Sequence, residues 1–141
     1  MCCNVRMARI VAPLLAGGLL GSADDSFVIA EWRDPGAPPG PPRWIAPLHL
    51  HRNDDEAWYV VEGVLGVKRG DDEIEARAGS AVFVPRGTPH TYWNASPNLL
   101  RYVLIMTPKI HALIQAIHAA QDRSPAALQV LFEEYDSGLL G

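Results

Sequence analysis

PLHLHRNDDEAWYVVEG, residues 47–63, carries the first half of the pattern that decides the fold; GSAVFVPRGTPHTYWN, residues 79–94, carries the second. The first runs His49, one residue, His51, four residues, Glu56, six residues, Gly63. The second runs Gly79, five residues, Pro85, one, Gly87, two, His90, three, Asn94. Side chains two apart on a strand point to the same face, so His49 and His51 share one face. The polar stretch Arg52-Asn53-Asp54-Asp55 turns the chain and lets Glu56 return on the neighbouring strand, facing the same interior. His90 opens another strand just past the tight turn Pro85-Arg86-Gly87.

Three imidazoles and one carboxylate converging inside a barrel make a site for one divalent metal ion. Imidazole suits Fe, Ni, Cu and Zn, and a carboxylate adds Mn. Four protein ligands leave open positions on a six-coordinate metal and none on a tetrahedral zinc. By strand parity Trp58 and Val60 share the face of Glu56, while Tyr92 and Asn94 share that of His90. Trp58, Tyr92 and Asn94 are therefore candidates for a substrate pocket, although buried aromatics in a barrel also serve simply as core. Their character suits an organic, aromatic ligand better than a sugar phosphate. No cluster of Lys or Arg faces inward; Arg101 is the one candidate inner cation, and the alternation leaves its face open.

Around this centre the chain reads as strands separated by turns. Strand-like runs cover 27–33, 46–51, 57–62, 63–68, 73–77, 80–84, 89–94 and 100–106, with turns at Gly70-Asp71-Asp72 and Arg86-Gly87. Between the first two lies DPGAPPGPPRW, residues 34–44, with five prolines and two glycines; it is a stiff loop, either lining a pocket mouth or merely connecting. From Thr107-Pro108 the period changes to helical, with Ile110, Leu113, Ile114 and Ile117 on one stripe. Ser124-Pro125 starts a second helix with Leu128, Leu131, Phe132 and Tyr135 as its stripe and Gly138 as its end. His111 and His118 sit two turns apart and read as surface residues.

The 141 residues are 48% hydrophobic and 20% charged with net charge −4, which suits one globular domain. That balance, without a basic run, argues against nucleic acid and against a polybasic membrane anchor. Cys2 and Cys3 are neighbours and cannot staple the fold, so a reducing, cytoplasmic setting is the default. Residues 10–21 are apolar and follow Arg6 and Arg9, a pattern that also fits export through residues 1–23, and Met7 is an alternative start. An entry arm leading to the first strand is the favoured reading.

The two quoted runs resemble the paired motifs of the cupin superfamily, G(X)5HXH(X)3-4E(X)6G and G(X)5PXG(X)2H(X)3N. Every signature position from His49 to Asn94 matches; the first Gly is replaced by Arg43, with Gly40 three residues early. The resemblance covers about residues 25–107 and implies an all-β, double-stranded β-helix (jelly-roll) barrel, with the two helices packed outside. It implies an N-terminal arm over 1–24, a barrel over 25–107 and a helical extension over 108–141. It implies His49, His51, Glu56 and His90 as metal ligands, and a quercetin-dioxygenase-like oxidoreductase in which Glu56 is both ligand and proton acceptor. A non-oxidative isomerase, lyase or cyclase and a non-catalytic binding cupin are the alternatives, since one fold hosts many functions. The implied partners are a small molecule and a second copy of the chain, joined through sheet edges or an exchanged N-terminal strand.

Overall fold

A computed structural model describes residues 8–10 and 19–141. Its strands are β1 (Val28–Asp34), β2 (His49–His51), β3 (Glu56–Glu62), β4 (Val64–Arg69), β5 (Asp72–Arg77), β6 (Ala81–Val84), β7 (His90–Asn94) and β8 (Leu100–Met106). Helices α1 (Pro108–Ala119) and α2 (Pro125–Glu134) follow, then a ninth strand, β9 (Ser137–Leu139). One sheet has the order β1-β8-β3-β6 and the other β5-β4-β7-β2-β9, and their pairings are antiparallel. The two antiparallel sheets and two short helices make the double-stranded β-helix that the motifs imply.

Alternation explains the core. Along β3, Glu56, Trp58 and Val60 are buried while Tyr59 is exposed; along β8, Leu100, Tyr102, Leu104 and Met106 are buried. Leu65 and Val67 of β4 and Tyr92 of β7 close the same core from the facing sheet. At Gly63, between β3 and β4, φ is +85° and an added Cβ would lie 2.4 Å from the Leu99 carbonyl oxygen. Only glycine fits there.

Both helices start where the sequence places them. The Thr107 hydroxyl accepts from the Ile110 amide and the Ser124 hydroxyl from the Ala127 amide, each ahead of a proline in the first turn. The second helix ends earlier than expected. Tyr135 caps it, Asp136 takes a left-handed conformation (φ 56°), and Gly138 lies inside β9 rather than terminating the helix. An aspartate tolerates that backbone because its short polar chain finds local partners, here Asn53 and Lys109. The extension 108–141 therefore returns a strand to the barrel.

The strand expected over 46–51 is paired only over 49–51. Upstream, the proline-rich loop runs beside β7, with the Ile45 amide donating to the Tyr92 carbonyl and Trp44 bridged to Trp93. The loop does line a cavity of about 1050 Å³, with Trp44, Glu75 and Trp93 among its walls. Trp93 and His90 are on opposite faces of β7 by parity, so this cavity opens on the outer side of the sheet.

Leu20 pairs with Ile29, both amides bonding across, so the entering chain lies along β1. Residues 1–7 and 11–18, on which Cys2, Cys3, Met7 and most of the apolar arm fall, are outside the described residues. Among the described residues no helix is long and apolar enough to cross a membrane.

Gly63→Ala is expected to lower stability by about 1–3 kcal/mol, the usual cost of a strained left-handed residue, with the clash in addition. Urea unfolding checks it, and an unchanged midpoint would contradict the close approach at Leu99.

Candidate metal centre

The two halves of the motif are pinned to each other by the turns between them. The Asp55 carboxylate accepts from the Arg86 amide at 2.8 Å and from its guanidinium at 3.1–3.2 Å. The Gly87 amide donates to the His51 carbonyl at 2.6 Å. Strand pairing then sets His49 opposite His90, while Glu56 stands at the head of β3 in the facing sheet. All four side chains are buried, none more than 6% exposed as a residue. One ligand atom from each lies within 4.8 Å of the others. Atoms each held about 2.0–2.2 Å from one metal lie at most about 4.4 Å apart, so a closure of a few tenths of an ångström brings the four atoms within that limit.

The hydrogen bonds behind the imidazoles decide which nitrogen faces inward. His49 Nδ1 is 2.6 Å from the Pro47 carbonyl and His90 Nδ1 is 2.9 Å from the Thr88 carbonyl. A carbonyl only accepts, so both Nδ1 atoms carry the proton and, in the neutral ring, Nε2 keeps its lone pair. His51 Nδ1 is 2.7 Å from the Ser137 hydroxyl. Its Nε2 is 3.2 Å from Glu56 Oε1, yet is buried without a hydrogen-bond partner. His90 Nε2 is 2.5 Å from the same oxygen. Two lone pairs do not approach so closely without a cation to share, whether a proton or a metal ion.

Electrostatics agree. Burial alone would raise the Glu56 carboxyl, but the adjacent His51 and His90 outweigh it and hold the acid well below its ordinary range. His49 is pushed down to about 3 from the ordinary 6.5, first by burial and then by the charges of His90 and His51. A buried carboxylate whose ion-pair partners among the described residues are imidazoles calls for positive charge. A divalent ion meets that demand with all three histidines neutral. The donor set fits a metal.

Trp58 and Tyr92 lie directly beneath. Trp58 makes an edge contact with His90 at 5.8 Å between ring centres, and Tyr92 is 5.3 Å from Trp58. Among the described residues the buried Trp58 indole nitrogen has no hydrogen-bond partner. Burial first, and the neighbouring Tyr102, push the Tyr92 phenol well above its ordinary value. Asn94 is not brought to the cluster: its amide donates to Asp34 and to the Asn98 carbonyl, and its oxygen accepts from the Ser96 amide. It anchors the loop between β7 and β8. Arg101 faces out of the barrel, paired with Glu31 at 2.7 Å.

Two further residues touch the cluster. Phe132 of α2 packs edge-on against His49 at 5.4 Å, and Ser137 of β9 holds His51. The helical stripe announces Phe132 as packing, but nothing local to the motif announces Ser137, which is 86 positions from His51.

Fold and site together define a two-sheet jelly roll with a buried candidate metal centre. Residues 40–106 match the family model described as "Cupin domain". The cupin domain of Cnp3 from Schizosaccharomyces pombe is similar with a TM-score of 0.52 and 13% identity, covering 74% of this chain and 71% of that one. A double-stranded β-helix protein from Klebsiella pneumoniae gives 0.53 and 20%, covering 64% and 74%. A cupin from Bacteroides fragilis gives 0.51 and 15%, covering 60% and 68%. These likenesses concern the fold, and with the family model they support the cupin superfamily. Among curated proteins, Oxidoreductase iacF of Pestalotiopsis fici is 44% identical over 48 residues, 33% of this chain. The match spans about a quarter of that protein's length (24%).

The depressed His49 carries a pH consequence for the metal-free protein. Folded His49 stays neutral down to about 3, whereas the unfolded chain takes up a proton below 6.5. Stability is therefore full above pH 6.5 and lost as pH falls, by up to about 1.4 kcal/mol per unit from this group. Glu56 acts in the same direction below its ordinary 4.5. Urea midpoints of metal-free protein should fall steadily from pH 6.5 to 5; a flat profile would contradict the burial of neutral His49.

Proposed function

We propose that the chain is a metal-dependent oxidoreductase of the dioxygenase kind, acting on a small apolar organic substrate, aromatic or enolic. The observation that carries it is the convergence of three imidazole nitrogens and an ionised carboxylate above an aromatic wall. A bound Fe, Mn, Ni or Cu ion would polarise substrate oxygens and supply redox chemistry with O2. His49, His51, Glu56 and His90 would hold it, leaving positions open for a bidentate substrate on a six-coordinate ion. The likeness of part of the chain to an oxidoreductase of Pestalotiopsis fici supports the same direction.

The chain's own residues have distinct work. Glu56 stays ionised in a dry setting and can accept a proton from a substrate hydroxyl at Oε1, the atom its histidines share. Trp58 and Tyr92, core residues packed below the cluster, would favour a flat apolar molecule over a hydrated anion. The unpartnered Trp58 N–H is a donor available to a substrate oxygen.

A specific observation favours a second reading, a binding cupin without turnover. The four groups are almost wholly enclosed, and Phe132 rests on His49. The two readings separate on oxygen consumption. Protein loaded in turn with Fe(II), Mn(II), Ni(II) and Cu(II) is expected to take up O2 with a flavonol, an enolised diketone or a thiol. Glu56→Gln should reduce that uptake at least about 100-fold. Uptake by no metal form would leave the binding role standing.

We also propose a homodimer stabilised by the apolar N-terminal arm, since an uncovered hydrophobic edge invites association. Light scattering of the full chain should give a dimer and of a chain lacking residues 1–20 a monomer; an unchanged dimer would refute the role of the arm.

A further inference from the structure

The C-terminal strand reaches the centre through one hydroxyl. β9 adds to the free edge of β2 with His51 opposite Ser137 and His49 opposite Leu139. Its ends are fastened, the Arg52 amide donating to the Asp136 carbonyl at 3.0 Å and the Leu140 amide to the Leu48 carbonyl at 2.8 Å. The Arg52 guanidinium spans the Ser137 carbonyl at 3.0 Å and Glu133 at 2.8 Å. Ser137 is fully buried (0% exposed).

The proton count at Ser137 is decisive. A serine hydroxyl has one hydrogen and two lone pairs. Its Oγ donates to the Tyr135 carbonyl at 3.2 Å, a group that can only accept. With that hydrogen on Tyr135, the oxygen accepts from a protonated His51 Nδ1 at 2.7 Å, the arrangement that makes both contacts; the opposite tautomer would have the hydroxyl donate to Nδ1 and leave the Tyr135 contact unmade. His51 Nε2, the atom without a hydrogen-bond partner, is thereby kept bare and aimed at the cluster. His49 and His90 obtain the same result from carbonyls two residues before them. His51 alone of the three depends on a distant segment, and a free imidazole in water prefers the opposite tautomer.

We infer that Ser137 is a positioning residue that fixes the His51 tautomer, so that the segment 125–141 completes the metal centre instead of merely covering the barrel. This rests on the reading that the four side chains hold a metal. Partners behind a ligating histidine typically change metal affinity 10–100-fold. By linkage, an ion bound by His51 stabilises the docked strand in turn.

The test uses the full chain and has two arms. Imidazole ¹⁵N spectra of metal-free protein at pH 7.5 should show His51 protonated at Nδ1, and Ser137→Ala should lose that state. Co(II) titration should then give Ser137→Ala an affinity about 10–100-fold below wild type, with a changed Co(II) absorption spectrum. Glu133→Gln, which loosens the Arg52 clasp on the same strand without touching His49 or His51, should stay within about threefold of wild type at matched urea stability. Wild-type His51 protonated at Nε2 alone, with Nδ1 bare, would overturn the inference, as would Ser137→Ala binding Co(II) like wild type. Equal losses in the two variants would overturn it too, because strand docking and not the hydroxyl would then be responsible. Wild-type protein with the expected tautomer but no Co(II) binding would sink the metal reading, and with it the claim that the segment completes a centre.

Discussion

A carboxylate and three imidazole nitrogens are held together in a space from which water is excluded, and their charge has to be balanced there. Buried without a counter-charge, Glu56 would cost several kcal/mol or be driven to the neutral acid. The structure keeps it ionised by crowding His51 and His90 onto one oxygen. Backbone carbonyls and Ser137 hold the outer nitrogens of all three rings, so the inner nitrogens cannot turn away. Much of the local architecture serves this arrangement: the Asp55–Arg86 clasp, the Gly87–His51 bond and the antiparallel register of β2 with β7. A divalent cation is the species whose charge and ligand demand match it.

Aromatic and helical neighbours shape what such a centre could meet. Beneath it, Trp58 and Tyr92 belong to the barrel core and offer a flat apolar boundary with one spare N–H. Above His49, α2 lays Phe132 edge-on. The large cavity of the proline-rich loop lies on the other side of the sheet, so its volume is not space beside the metal ligands. Chemistry on a substrate thus depends on room made at the Phe132 side or within the core. Tight retention of an ion does not.

The convergence of the four candidate ligands was legible because strand alternation and turn signals act over a few residues. His49 and His51 had to share a face, and Glu56 had to return after a four-residue polar turn. The glycine at 63 with φ of +85° follows from the same local rules. What was not legible depends on distance along the chain. Asp136 bends out of the helix by a conformation that aspartate adopts only when nearby partners hold it. The pairing of Ser137 with His51 follows from where the whole extension docks. Parity put Trp58 on the Glu56 face and Tyr92 and Asn94 on the His90 face; Trp58 meets His90 and Tyr92 meets Trp58, whereas hydrogen bonds to Asp34 and Asn98 divert Asn94 to the loop. Parity could not choose a face for Arg101; its partner Glu31, one strand away, reveals the outer one.

X-ray absorption on the purified chain, reconstituted with one equivalent of a divalent metal and passed through a desalting column, tests the central claim most directly. One retained ion per chain, surrounded by nitrogen and oxygen at about 2.0–2.2 Å with the multiple-scattering pattern of three imidazoles, is the predicted result. An ion lost on desalting, or retained in a shell without imidazole, would contradict it.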